Sequence, residues 1–234
     1  MKKRFYETVT VVHVDGGYSV QLDGRNVKTP MGSLLVMPSK ALSEVVAQEW
    51  NAQGDEIDPK SMAFMPLVGT AIDRVNEVRD DLIDGLLKYA ETDLLCHFAD
   101  ESLQIDLYKR QVESWQPILD WADNELGARL KPTQGIMAKK QDSKSLKNLR
   151  KILNRFDQWT LTALGELVGI SGSLLVGLAL IKGFIDIKQA LVVCHIDEDH
   201  QIEQWGEDFE AQARRKNVER DITNAYRFFE LANA

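Results

Sequence analysis

Gln53-Gly54-Asp55-Glu56-Ile57-Asp58-Pro59 is where the 234-residue sequence changes its period. Glycine, proline and three closely spaced acids suit neither a helix nor a strand, so the segment reads as a boundary. Before it, apolar and polar residues alternate. Beyond it, apolar residues recur every three or four positions. This change predicts an α+β fold: a small antiparallel β-rich N-terminal unit with one helix (1–60), followed by a multi-helix C-terminal bundle (61–234).

Working back from the boundary, Ser39 can cap a helix that carries Leu42, Val45, Val46 and Trp50 on one face. Leu34-Leu35-Val36-Met37 is a short strand that Pro38 stops. Gly17 to Leu22 alternates, with Tyr18, Val20 and Leu22 on one face. Asp15-Gly16-Gly17 and Asp23-Gly24 supply residues that tolerate positive φ in hairpin turns. Phe5 to Val14 and Arg25 to Thr29 are the flanking strands, rich in Val and Thr. The glycines lack the spacing of a phosphate loop, and no βαβ unit surrounds them.

Forward from the boundary, Leu67, Ala71, Ile72, Val75 and Val78 form one helical stripe, and Leu82, Ile83, Leu86 and Leu87 a second. Thr92 to Phe98 is a helix end or a short extended piece. Residues 102–126 form a long helix in which Pro117 marks a kink or a fresh first turn, and Gly127 ends it. Arg129 to Met137 is loop or strand. A helix starting at Ser143 or Ser145 carries apolar residues as far as Ala163. Ile170 to Ile181 is apolar nearly all round and predicts a central buried helix, with Gly172 and Gly177 admitting close neighbours. Ile187 to Cys194 is a short helix, and Val218 to Leu231 belongs to the last one.

The bulk properties exclude several function classes. A net charge of -8 and no long basic run argue against a nucleic-acid or anionic-membrane face. The longest uncharged run, Leu167 to Ile181, is shorter than the ~20 residues of a membrane span. Two cysteines, Cys96 and Cys194, give no disulfide framework and suit a reducing compartment. Met-Lys-Lys-Arg runs into Phe5-Tyr6-Glu7 without an apolar signal core, so a cytoplasmic-type protein is expected.

No catalytic site is written in the motifs. Cys96-His97 and Cys194-His195 lack zinc-ligand spacing, and Gly169-Ile170-Ser171-Gly172-Ser173 is only a remote likeness of a nucleophile elbow. An enzyme reading would be a metal- or Cys/His-dependent hydrolase built on Cys194, His195 and His200. No catalytic residue, metal or cofactor is expected.

The stretch from His195 to Lys216 holds the most informative surface pattern. Ile202, Trp205, Phe209 and Ala213 fall on one helical face, and Glu203, Glu207, Glu210 and Arg214 on another. Acids open the stretch and bases close it, as a helix dipole favours. Two readings follow. Either Trp205 packs in the core behind a solvated acidic face, or an acidic surface backed by an aromatic binds a partner. Gly206 tilts toward the second, because glycine within a helix costs ~1 kcal/mol against alanine.

The order and spacing of many short segments together resemble one known family. They are Lys3-Arg4-Phe5-Tyr6, Leu22-Asp23-Gly24-Arg25, Val27-Lys28-Thr29-Pro30, Glu49-Trp50 with Gln53, and Thr70-Ala71-Ile72-Asp73. They continue through Thr92-Asp93-Leu94-Leu95-Cys96, Gln111 with Trp115, Pro117 and Trp121, Gly135-Ile136-Met137, Gly172-Ser173, and Gln201 with Trp205-Gly206, Asp208 and Glu210-Ala211. The family is that of the F-type ATP synthase assembly chaperones that bind the alpha subunit of the catalytic head. The resemblance implies a β-rich unit plus a helical one, and no catalytic activity. Its implied partner is the unassembled alpha subunit, whose beta-facing surface would be shielded; a scaffold for an unrelated partner is the other non-enzymatic reading. Glu49, Trp50, Asp93, Trp205, Gly206, Asp208 and Glu210 are the positions expected to bind the partner. Trp50 and Trp205 could instead be core residues, and Asp93 a helix cap. The implied location is a bacterial cytoplasm, or the mitochondrial matrix for a processed eukaryotic chain.

Overall fold

The computed structural model describes residues 2–134, 137–206 and 209–234, and the side chains of all of these except 209–211. It is an α+β chain of two units. The first comprises Met1–Arg79, Asp157–Ala163 and Arg227–Ala234, and the second Asp80–Phe156 and Leu164–Tyr226. The Gln53–Pro59 segment therefore lies within the first unit.

In the first unit, β1 (Lys2–Lys3) pairs with β5 (Glu56–Ile57), while β2 (Val9–Val14), β3 (Gly17–Leu22) and β4 (Arg25–Asn26) form an antiparallel meander. The Asp23-Gly24 hairpin forms where the sequence places it, with Asp23 itself at φ 48°. The expected strand from Phe5 to Val14 is shorter. The Asp23 carboxylate accepts the amides of Glu7 at 3.1 Å and Thr8 at 2.8 Å, so these two amides answer to a side chain and not to a neighbouring strand. Leu34–Met37 is also less than a strand. Met37 exchanges hydrogen bonds with Tyr18, but the Leu35 amide turns away to the Val27 carbonyl.

Helix α1 (Lys40–Asn51) starts where Ser39 Oγ accepts the Leu42 amide at 3.0 Å. It packs Leu42, Val46 and Ala47 into a core with Tyr6, Val20, Leu22, Leu35 and Met37. Helix α2 (Met65–Asp73) adds Val68 and Ala71, and Trp159 and Phe228 complete the cluster. Gly69 of α2 lies against the Pro30 ring, which a Cβ there would meet in ordinary contact at 3.6 Å.

The second unit is built from α3 (Arg79–Glu91), α4 (Ile105–Leu126), α5 (Ser143–Leu153), α6 (Gln158–Ser171), α7 (Leu174–Ile181), α8 (Ile187–Trp205) and α9 (Phe209–Ala232). A short parallel pair joins them, β6 (His97–Phe98) with β7 (Thr133–Gln134). Arg79 and the ends of α6 and α9 belong to the first unit. Helix α4 runs unbroken through Pro117 and stops at Gly127 in the left-handed region.

Three helix expectations are corrected. The helix expected from Ser143 to Ala163 is two, because Asp157 Oδ1 accepts the Thr160 amide at 2.8 Å and starts α6 afresh. The apolar stretch from Ile170 to Ile181 also divides. Gly172 takes φ 69°, and Ser173 Oγ accepts the Val176 amide at 3.0 Å to cap α7. Conversely, Ile187–Cys194 is not a short helix of its own but the first half of α8. Gly177 does serve close packing: a Cβ there would lie 2.8 Å from a Leu164 methyl.

Candidate functional site

The residues singled out by the sequence fall into two groups once placed: those that fasten the fold and those that face water. Glu49 fastens. Its carboxylate accepts the amides of Phe64 at 2.7 Å and Met65 at 2.9 Å, which satisfies the start of α2, where Phe64 offers no cap of its own. Burial raises its pKa, while the amides pull the other way.

Trp50 is half-buried, and its carbonyl accepts the Tyr6 hydroxyl at 2.7 Å. Around it Arg4 gathers the carbonyls at the end of α1. Its guanidinium reaches Gln53 O at 2.6 Å and Asn51 O at 3.5 Å, so a cation sits where the helix dipole is negative, and its Nε holds Tyr6 O at 3.1 Å. The Trp50 indole nitrogen is buried without a hydrogen-bond partner. The ring borders a cleft of about 440 Å3 shared with Phe5, Tyr6, Arg25 and Lys28.

Asp93 is fully buried in the second unit. It accepts the Ser173 hydroxyl at 2.6 Å, the Leu95 amide at 3.1 Å and the Leu175 amide at 3.2 Å. One carboxylate thus caps both the turn at Leu94–Cys96 and the start of α7. Burial pushes its pKa up to about 6 against the pull of these donors. Cys96 and Cys194 feel the same environment: burial first, then the Asp93 charge, pushes both thiols up to about 12. Neither is a thiolate at neutral pH, which removes the nucleophile from the Cys/His hydrolase reading. His195 is buried, with Nδ1 3.3 Å from Glu198, and among the described residues no cluster of His, Cys, Asp and Glu could hold a metal ion.

Trp205 and Gly206 stand apart from this. Helix α8 is launched by a reciprocal cap: Asp186 accepts the Gln189 amide at 2.8 Å, and the Gln189 side chain accepts the Asp186 amide at 2.9 Å. Its inner face is fixed by Trp115, whose indole N–H donates to Val193 O at 3.1 Å. Gln111 adds a bridge, donating to Asp197 at 2.6 Å while accepting the Ala99 amide at 2.6 Å.

Arg110 grips Glu203 with both guanidinium nitrogens, at 2.8 and 2.7 Å, two residues before the helix ends. Arg214 pairs with Glu198 at 3.0 Å, and Arg215 bonds Asp199, tying α9 to α8. Trp205 then projects from the last turn with 78% of its surface exposed. Gly206 ends α8 at φ 85° and ψ 173°, a conformation open essentially to glycine.

The helix expected to continue past Trp205 is therefore corrected: Gly206 is its stop, and Ile202, Trp205, Phe209 and Ala213 do not share one helical face. Of the remaining positions, Asp208, like Glu207, lies outside the described residues. Glu210 sits in the first turn of α9, and its side chain lies outside them too. Gly135 and Ile136 are likewise outside. The structure brings Trp205 and Gly206 together, and it places Glu49 and Trp50 in one unit and Asp93 in the other. Sequence reasoning missed Arg110 and Gln111 as supports of α8. Arg110 and Glu203 are 93 positions apart, and no local period reports such a pair.

Comparison with known proteins now bears on these motifs. The family model described as ATP12 chaperone protein matches residues 3–123. The mitochondrial protein atp12 of Schizosaccharomyces pombe is 26% identical over 87% of this chain and 74% of its own length. The mitochondrial ATP12 of Saccharomyces cerevisiae is 22% identical, over 88% and 76%. The crystal structure of Atp12 from Paracoccus denitrificans superposes with a TM-score of 0.92 at 37% identity, over 99% of this chain and 98% of that one. The chain belongs to the ATP12 chaperone family, the ATP synthase assembly family whose motifs its sequence resembles.

Proposed function

We propose that this chaperone binds the unassembled alpha subunit of F-type ATP synthase and covers the surface that later meets the beta subunit. The role is non-catalytic, and no cofactor takes part. An orphan subunit exposes an apolar interface of a kind that aggregates, so a folded protein that covers it and later yields to the true neighbour answers a physical need.

The observation that carries the reading is Trp205, which is 78% exposed at the end of a helix braced on several sides. A large aromatic held out in water on a rigid element is the residue type that dominates binding energy at interfaces. Asp208 and Glu210 follow it in sequence and are proposed as the acidic part of the same contact, with Gly206 setting the direction in which the chain leaves α8. Glu49, Trp50 and Asp93 are proposed to serve this surface by holding the two units in shape. Among the described residues no helix is long and apolar enough to cross a membrane. A bacterial cytoplasm or a mitochondrial matrix is the proposed setting.

The test is capture of tagged, unassembled alpha subunit by the chain and by Trp205→Ala, Asp208→Lys, Glu210→Lys and the double charge reversal. Loss of capture with unchanged circular dichroism supports the proposal. Full capture by all four variants removes this surface from consideration.

A further inference from the structure

Among the described residues no strand pairs with the outer edge of β2. In the meander β2 is terminal, paired only with β3, and Val9-Thr10-Val11-Val12-His13-Val14 is six residues long with a regular register and no bulge. Hydrogen bonds fix which backbone groups point outward. The Asp23 amide donates to Thr8 O at 3.0 Å, which marks Thr8, and by alternation Thr10, Val12 and Val14, as facing β3. On β3, Tyr18 exchanges bonds with Met37 and Val20 accepts from Val27, so both face away from β2. Their cross-strand partners His13 and Val11, and Val9 with them, therefore turn their N–H and C=O groups to the open edge. No backbone partner for these groups occurs among the described residues.

Natural sheets guard such an edge with proline, lysine, a bulge or a covering element. This strand carries none of the first three. Its charges lie at the ends, where Glu7 and Asp15 are both exposed. They also discriminate between occupants. A second copy pairing antiparallel about Val11 would set Glu7 opposite Asp15, acid against acid, which disfavours self-association. An extended segment with an apolar or β-branched centre and basic residues toward its ends meets the same edge favourably.

We infer that the β2 edge docks an extended, basic-ended segment of a partner protein, which adds as a further strand through the backbone groups of Val9, Val11 and His13. Specificity comes from Glu7 and Asp15, and affinity from the main chain. The inference stands independently of the Trp205 surface and of the alpha subunit as partner.

The probes are two nine-residue peptides, Lys-Thr-Val-Thr-Val-Thr-Val-Thr-Lys and its glutamate-ended counterpart, whose end residues fall opposite Glu7 and Asp15 when the central valine meets Val11; they are titrated into the full chain with amide exchange read by NMR. The lysine-ended peptide is expected to slow exchange at Val9, Val11 and His13 by about tenfold or more, and the glutamate-ended one to bind about tenfold more weakly at low salt. Val11→Pro removes an amide that bonds nothing within the fold and should lose the peptide; because the Val11 side chain also packs on the core, it is read beside Val11→Ala, which gives up the same packing but keeps the amide and should keep the peptide. Glu7→Lys combined with Asp15→Lys leaves the edge intact and should reverse the preference between the peptides. Unchanged exchange with both peptides, or equal binding of the two, overturns the inference. A concentration-dependent dimer that Val11→Pro dissolves also overturns it, because the edge would then be a contact between copies.

Discussion

Trp115 and Trp205 both bear on the same helix, yet they are opposites. Trp115 is 1% exposed and spends its indole N–H on the backbone of α8 at Val193. Trp205 is 78% exposed at the end of α8, where Arg110 and Glu203 brace the preceding turn. The first ring holds the helix in place, and the second is what the helix holds out. A tryptophan in the sequence thus does not say which job it does, and burial separates the two.

The largest effect that can break this contrast is on stability. Trp115→Ala should destabilise the fold by about 4 kcal/mol, through the cavity it leaves and the loss of its buried hydrogen bond. Trp205→Ala should change stability by less than ~0.5 kcal/mol while weakening alpha-subunit capture. Denaturant titration of both variants beside a pull-down checks the pair. A Trp205→Ala protein as unstable as Trp115→Ala would erase the distinction.

Asp93 sharpens the inner half of the comparison through pH. Its folded pKa of about 6 lies above the ordinary aspartate value, so the native state keeps a proton that the unfolded chain has already released. Its contribution is therefore fully present below about pH 4 and falls away as the pH rises to about 6, by about 3 kcal/mol in all. Asp93→Asn should be less stable at every pH, because an amide nitrogen now faces donors, but should lack that slope. Denaturation midpoints from pH 4 to 7 read it directly.

Smaller effects follow. Glu49→Ala leaves the Phe64 and Met65 amides without an acceptor and should cost about 1–2 kcal/mol. Gly206→Ala forces a side chain into a conformation reserved for glycine. It should cost about 1 kcal/mol or more and move the chain that leaves Trp205, so capture should fall even though no contact group is removed. Arg110→Ala breaks only an exposed ion pair, and the melting temperature should hardly move.

Local chemistry was legible in the sequence wherever a few neighbouring residues decide the outcome. Asp23-Gly24 turns the hairpin, Ser39 starts α1 and Gly127 ends α4, each as its residue type dictates. The α+β class followed from the change of period beyond Gln53. What stayed hidden depends on partners far along the chain. Asp93 could be read as a cap, but Ser173, 80 positions away, is what makes it a bracket between two helical starts. Strand lengths were overstated for the same reason, since the amides of Glu7 and Thr8 are claimed by a side chain 15 to 16 positions on.

Gly206 shows the limit most clearly. Period alone ran the helix through it, and the true signal was one glycine followed by two acids, too little to outweigh a continuing apolar repeat. The proposed contact was legible as Trp205 beside acids, but whether its ring was core or surface depended on where α8 stops. Helical spacing does not decide that.

The most direct test of the account is aggregation of unassembled alpha subunit, followed by light scattering with and without this chain. The account predicts suppression at near-equimolar chaperone, and its loss for Trp205→Ala combined with Asp208→Lys in a protein that remains folded. Alpha chains that scatter at the same rate whether or not the chain is present would contradict it.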